Sequence, residues 1–174
     1  MGEIVATTRQ PSVRDKEESQ YLTFLLGGEM FGIEILTIKE IIEFGSLTTV
    51  PMMPEFVRGV INVRGAVLPV IDLSSRFSRK PSEVTRRSCI VIIETHPQSD
   101  EKQDVGVLVD SVSAVMEIPA SDIEPPPGFG ARIRIDFISG MAKVNGKFVI
   151  LLNVDKVLSV DEMAALSDLS ERSN

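Results

Sequence analysis

Gly59-Val-Ile-Asn-Val-Arg64-Gly65-Ala-Val-Leu-Pro69-Val-Ile-Asp72-Leu73 is the stretch on which the reading of this chain turns. Two apolar runs, 60–63 and 66–71, flank Arg64-Gly65. Such runs on either side of a polar residue and a glycine spell a β-hairpin, because β-branched side chains fit a pleated surface and glycine tolerates a tight reversal. Proline has no N–H to give to a ladder, so Pro69 predicts that the second strand is an edge or bulges there. Asp72 or Ser74 is placed to cap a short helix over 73–77. Gly59 and Gly65 mark a bend, a positive φ or the close approach of another chain. Arg64 stands at the hairpin end, where its planar guanidinium suits two-pronged capture of a carboxylate.

Working outward, further hairpins appear. Residues 21–26 and 30–35 flank Gly27-Gly28-Glu29, and the core is expected to begin at Tyr21. In 35–44 the apolar positions Ile35, Ile38, Ile41 and Ile42 have helical spacing, but isoleucine is stiff at χ1 and favours strands. A short turn running into a strand is expected. Residues 89–94 and 105–109 are joined by a polar loop, in which His96 reads as a solvated residue rather than a metal ligand. Glu124-Pro-Pro-Pro-Gly128 reads as an extended connector between lobes or along a sheet edge. Residues 137–144 and 147–152 enclose Asn145-Gly146, a pair suited to a type I′ turn. A terminal helix is expected from Ser159 or Asp161 through Leu166.

Together these predict about nine or ten short strands with short helices, a mainly β, barrel-class fold. The order hairpin, strand, hairpin occurs in both halves and suggests two related lobes. Residues 1–19 are polar and read as a disordered lead-in, 20–166 as the folded domain and 167–174 as a polar tail. A self-contained chain is expected from that layout.

The 174 residues carry a net charge of −7, and the 18 Lys and Arg are scattered, which argues against a nucleic-acid partner. With no Trp and one Tyr, an aliphatic core is expected. No stretch approaches the roughly 18 continuous apolar residues of a membrane span, so a cytoplasmic protein without membrane insertion is expected. Cys89, the single cysteine, reads as a small buried hydrophobe. One His, one Cys and no nucleophile, metal or phosphate-loop motif leave no catalytic residue, cofactor or metal to assign. Glu117, Asp122 and Glu124 read as solvated carboxylates.

The opening stretch resembles the GVxNxRGxxxPxxDL segment of CheW-like coupling proteins of bacterial chemotaxis. Phe31-Gly-Ile-Glu-Ile35 with Ile38-Lys-Glu-Ile41, Val107-Leu-Val-Asp110 with Val112 and Val115, and Leu151-Leu-Asn-Val-Asp155-Lys156 agree in order and spacing. The match covers about residues 20 to 166. It implies two small five-stranded SH3/OB-like barrels packed together, with short helices and a C-terminal helix. It also implies a non-enzymatic adaptor that couples chemoreceptors to the histidine kinase CheA. Its partners would be the regulatory domain of CheA, the cytoplasmic tips of methyl-accepting receptors and other CheW copies in rings.

Carried over by that resemblance, the partner-binding surface comprises Ile38, Glu40, Gly59, Arg64 and Gly65, with Arg64 paired to Glu40. Val107, Val109 and Val112 would belong to a receptor-facing groove. Ser111 stands where many relatives have glycine. A related adaptor of a parallel pathway, such as pilus motility or surface sensing, would share these motifs, while an oligonucleotide-binding barrel is a different-class alternative against which the acidity and the lack of exposed-strand aromatics argue. An enzyme on a barrel scaffold is a third.

Overall fold

The predicted hairpins are present in the computed structural model, which describes residues 18–45, 47–77, 79–95, 102–126 and 135–159. Eleven strands are formed: β1 (Glu18–Leu26), β2 (Glu29–Glu34), β3 (Ile38–Glu43), β4 (Val57–Val63), β5 (Ala66–Asp72), β6 (Cys89–Thr95), β7 (Gln103–Val109), β8 (Ser111–Pro119), β9 (Ile123–Glu124), β10 (Ile138–Val144) and β11 (Lys147–Leu152). Two one-turn helices, α1 (Leu73–Arg76) and α2 (Val154–Val157), follow β5 and β11. Asp72 caps α1, accepting from the Ser74 and Ser75 amides, and Asn153 caps α2. The first strand starts at Glu18, three residues ahead of the expected Tyr21. His96 and the expected terminal helix over 161–166 lie outside the described residues, as do 127 and 128 of the proline connector.

The strands form two sheets, of order β8-β1-β2-β11-β10-β9 and β3-β6-β7-β5-β4. The first has six strands rather than five, the extra one being the two-residue β9. It is built from the beginning and end of the chain, and we call it the terminal lobe. The second is built from the middle. Pro69 does not make β5 an edge, since β5 lies between β4 and β7. Nor is the bulge at Pro69; it falls between Val57 and Gly59 on β4. The parallel ladder to β7 begins one residue later, at Val70↔Gly106, so the missing N–H falls outside it.

Two related halves are present, but they are not the two lobes. Adding 81 to a residue of β4-β5-α1 gives its counterpart in β10-β11-α2. Gly59, Val63, Gly65 and Phe56 become Gly140, Val144, Gly146 and Phe137. The bulge at Val57/Gly59 recurs at Ile138/Gly140, and the parallel pair Val70↔Gly106 recurs as Leu151↔Gly32. Asp72 N–H donates to Phe56 O at 2.7 Å, and Asn153 N–H donates to Phe137 O at 2.8 Å. Each half contributes a leading hairpin, β1-β2 or β6-β7, to the sheet completed by the other half.

That exchange produces three apolar clusters. Ile61, Leu68, Val70, Ile90, Ile92 and Leu108 fill the middle lobe, and Ile118, Ala142, Val149 and Leu151 fill the terminal lobe. Between the sheets lies the largest, aliphatic in most of its members as expected, with an aromatic group inside it. Five of the eight phenylalanines are there, and Phe24, Phe31, Phe77 and Phe137 form a chain of ring contacts with centroids 5.7 to 6.0 Å apart. Arg76, 8% exposed, is sandwiched between the counterparts Phe56 and Phe137, 5.1 and 4.7 Å from their centroids, and its Nε donates to Val157 O. Cys89 is half-buried at the margin of this core rather than fully buried, with its thiol on Arg87 O.

Candidate functional site

The β4–β5 turn places Arg64 and Gly65 at φ 55° and 88°, positive at both central positions, and the Gly65 amide donates to Asn62 Oδ1 at 3.0 Å. An L-residue with a Cβ and no short polar group is disfavoured in that left-handed region by about 1–2 kcal/mol. The counterpart turn has the residue such geometry prefers, Asn145, at φ 52°. The strain at Arg64 therefore has to be explained by its side chain. Its Nη2 reaches Glu40 Oε2 at 3.0 Å while the side chain stays 82% exposed; Glu40 is 25% exposed.

This contact also shows how the middle sheet is shaped. β3, which holds Glu40, and β4, which leads into Arg64, are its two edges. The ion pair links those edges through side chains, and an isolated bridge ties Thr48, in the segment after β3, to Val60 on β4. Gly59 is explained here. A Cβ at Gly59 would lie 2.5 Å from Thr48 O, and the residue is buried. Its glycine serves the close approach of that segment rather than an exposed contact.

The other candidates separate. Ile38 is half-buried and packs on the central core, while Ile41 is 41% exposed. Burial along β3 alternates strictly, with Ile38, Glu40 and Ile42 on the inner side and Lys39, Ile41 and Glu43 outside, although the pairing register with β6 shifts between Ile38 and Glu40. Val67, 65% exposed two residues beyond Gly65, was legible, since Leu68 and Val70 alternate with it into the core. Lys39 Nζ binds Asp104 at 3.0 Å with Glu94 at 3.8 Å, and the hydrogen bond to Asp104 raises the Lys39 pKa. This ties the edge strand across to β6 and β7.

Val107 and Val109 correct the groove expectation. They are 1% and 0% exposed in the core between the sheets, because β7 is sandwiched on both faces, so no partner reaches them at the surface. Val112, on the edge strand β8, is half-buried against the same core. Glu117, Asp122 and Glu124 are exposed, and no group of three potential metal ligands occurs among the described residues. No helix of the described residues is long and apolar enough to cross a membrane.

Comparison with known proteins places this geometry. Residues 20–162 match the family model described as CheW-like domain. The chain is 30% identical to the chemotaxis protein CheW of Klebsiella aerogenes over 87% of its own length and 89% of that protein's. It is 32% identical to the CheW of Rhizobium meliloti over 84% and 91%. Among solved structures, the scaffolding protein TtCheW of Thermoanaerobacter tengcongensis superposes with a TM-score of 0.73 at 34% identity, over 82% of this chain and 89% of that one. With its two exchanged sheets and the Gly59–Leu73 motif carried on the middle lobe, the chain belongs to the CheW family.

Proposed function

We propose that this chain is a non-enzymatic adaptor that couples chemoreceptor tips to the regulatory domain of the histidine kinase CheA, in the cytoplasm, at receptor arrays. The observation that carries the reading is Arg64, held in a strained turn and exposed beside Glu40, where its counterpart Asn145 keeps the unstrained choice. Ile41, next to Glu40 in the chain, and Val67, three residues after Arg64, are exposed and supply apolar contact area. The preformed guanidinium and its rim resemble the ingredients of a binding hot spot. Gly65 belongs to the site through the turn it permits. The mechanism is positional. The adaptor holds the kinase domain in register with receptor tips, and weak single contacts are multiplied by array geometry.

The test is titration of the purified chain against the regulatory domain of CheA from the same organism, with Arg64→Ala and Ile41→Asp alongside. Ile41 replaces Ile38 as the apolar probe, since Ile38 packs on the core. Saturable binding is expected for the parent, weakened by about 2 kcal/mol or more in each variant, with unchanged urea midpoints. A parent that does not bind would overturn the kinase-coupling reading.

A further inference from the structure

Residues 76–87 hold Arg76, Arg79, Lys80, Arg86 and Arg87 against one acid, Glu83, a charge of +4 that leaves −11 for the remainder of a chain totalling −7. The cations are thus less evenly scattered than the composition suggested. Two of the five are engaged in the fold: Arg76 in the central core, and Arg79 in an ion pair with Glu29 at 2.7 Å. Arg86 and Arg87 are exposed and make no ion pair among the described residues.

Their backbone is built. Arg86 and Arg87 are the two central residues of the turn Thr85–Ser88. Ser88 N–H donates to Thr85 O at 3.1 Å, Thr85 N–H to Ser88 Oγ at 2.8 Å and Arg87 N–H to Thr85 Oγ1 at 3.1 Å. Ser88 is buried, and its carbonyl accepts from Phe44 N–H at 3.3 Å, which fixes the turn beside the end of β3. Upstream, the buried Asp72 carboxylate accepts from both the amide and the hydroxyl of Ser82 at 2.9 Å, and Arg58 Nη1 donates to Asp72 and to Ser82 O. The connector is pinned at both ends, with Val84 exposed between the pins.

We propose that the Thr85–Ser88 turn is a docking point for an acidic segment of a partner protein, its carboxylates taken by Arg86 and Arg87 with Val84 as the apolar neighbour. Adjacent guanidiniums on an ordered turn offer paired donors, and the ordering cost of the loop is already met in the free protein. The charge balance selects the class of partner. An anionic bilayer or a nucleic acid spreads its charge over many Debye lengths of about 8 Å and would also face the acidic remainder of the chain. A short acidic segment meets the cations alone.

The test uses the full chain and a fluorescein-labelled octaglutamate peptide, followed by anisotropy at low and at physiological salt. The Arg86→Glu/Arg87→Glu variant is expected to bind about tenfold more weakly, roughly the loss of one charge-assisted hydrogen bond. Lys80→Glu reverses one charge on the same connector outside the turn and should change affinity less than threefold. Thermal melts check that each variant folds. Because the double variant reverses two charges and Lys80→Glu one, a double-variant loss no larger than the square of the Lys80→Glu loss would mean undirected charge attraction and overturn the proposal. Absence of peptide binding, or tighter binding to phosphatidylserine vesicles or single-stranded DNA than to the peptide, would overturn it as well.

Discussion

The β4–β5 and β10–β11 hairpins share bulge, turn type, parallel junction and helix cap, yet one carries Arg64 and the other Asn145 at the same left-handed position. What the two share is what the fold requires: the bulge glycines Gly59 and Gly140, the turn glycines Gly65 and Gly146, and the core phenylalanines Phe56 and Phe137. What differs is available for function. Val67 and Phe148, 65% and 54% exposed at equivalent sites, show that both hairpins present an apolar residue beside the turn. The middle lobe alone adds the Arg64–Glu40 ion pair across its edges.

The largest effect should come from breaking what the halves share. Phe137→Ala, at the end of the ring chain and under Arg76, is expected to lower unfolding free energy by about 3–5 kcal/mol, read from urea denaturation. Because both lobes pack on this core, the loss should appear as a single cooperative transition; two separated transitions would mean that the lobes fold independently. Gly59→Ala comes next. Its Cβ meets the Thr48 carbonyl, and overpacking of that kind costs about 1–3 kcal/mol. Gly65→Ala has open space around its Cβ and carries only the positive-φ penalty of about 1–2 kcal/mol. A Gly59→Ala cost no greater than that of Gly65→Ala would remove the close-approach argument for Gly59.

Much of this was legible before the fold was seen. Gly-Gly, Arg-Gly and Asn-Gly punctuate the three hairpins that formed around them, and of the two expected caps, Asp72 and Ser74, it is Asp72 that caps α1. The exchange of leading hairpins was not, because strand propensity says nothing about which hairpin completes which sheet, and the offset of 81 preserves few identities. The chain of ring contacts was hidden in part for a related reason: Phe24 and Phe31 are cross-strand partners in the β1–β2 hairpin, but Phe77 and Phe137 lie far from them in the chain. Of the candidate site, Arg64, Glu40 and Gly65 came together as expected. Ile38 lies half-buried against the central core while Ile41 is the exposed isoleucine of β3, and Val107 and Val109 are buried because a strand covered on both faces has no exposed side.

A smaller effect concerns pH. Burial, with the charge of Glu34 adding to it, raises the pKa of Tyr21 above its ordinary 10.0. The folded state thus holds the protonated phenol more tightly than the unfolded chain, and its contribution is complete below pH 10.0 and is lost as pH rises through the raised value. Tyr21→Phe should flatten the fall in urea midpoint over that alkaline window; an unchanged slope would assign the loss to other groups.

On the proposed function, Arg64 is held against local preference for the sake of a partner. Arg64→Asn gives the middle lobe the turn residue of the terminal lobe, and one preparation can be measured both for urea midpoint and for affinity to the CheA regulatory domain. Stability unchanged within about 1 kcal/mol is expected, since relieved strain offsets an exposed ion pair worth about 0–1 kcal/mol, together with binding weaker by tenfold or more. Loss of stability with binding intact would contradict that role and make Arg64 a structural clasp of the middle lobe.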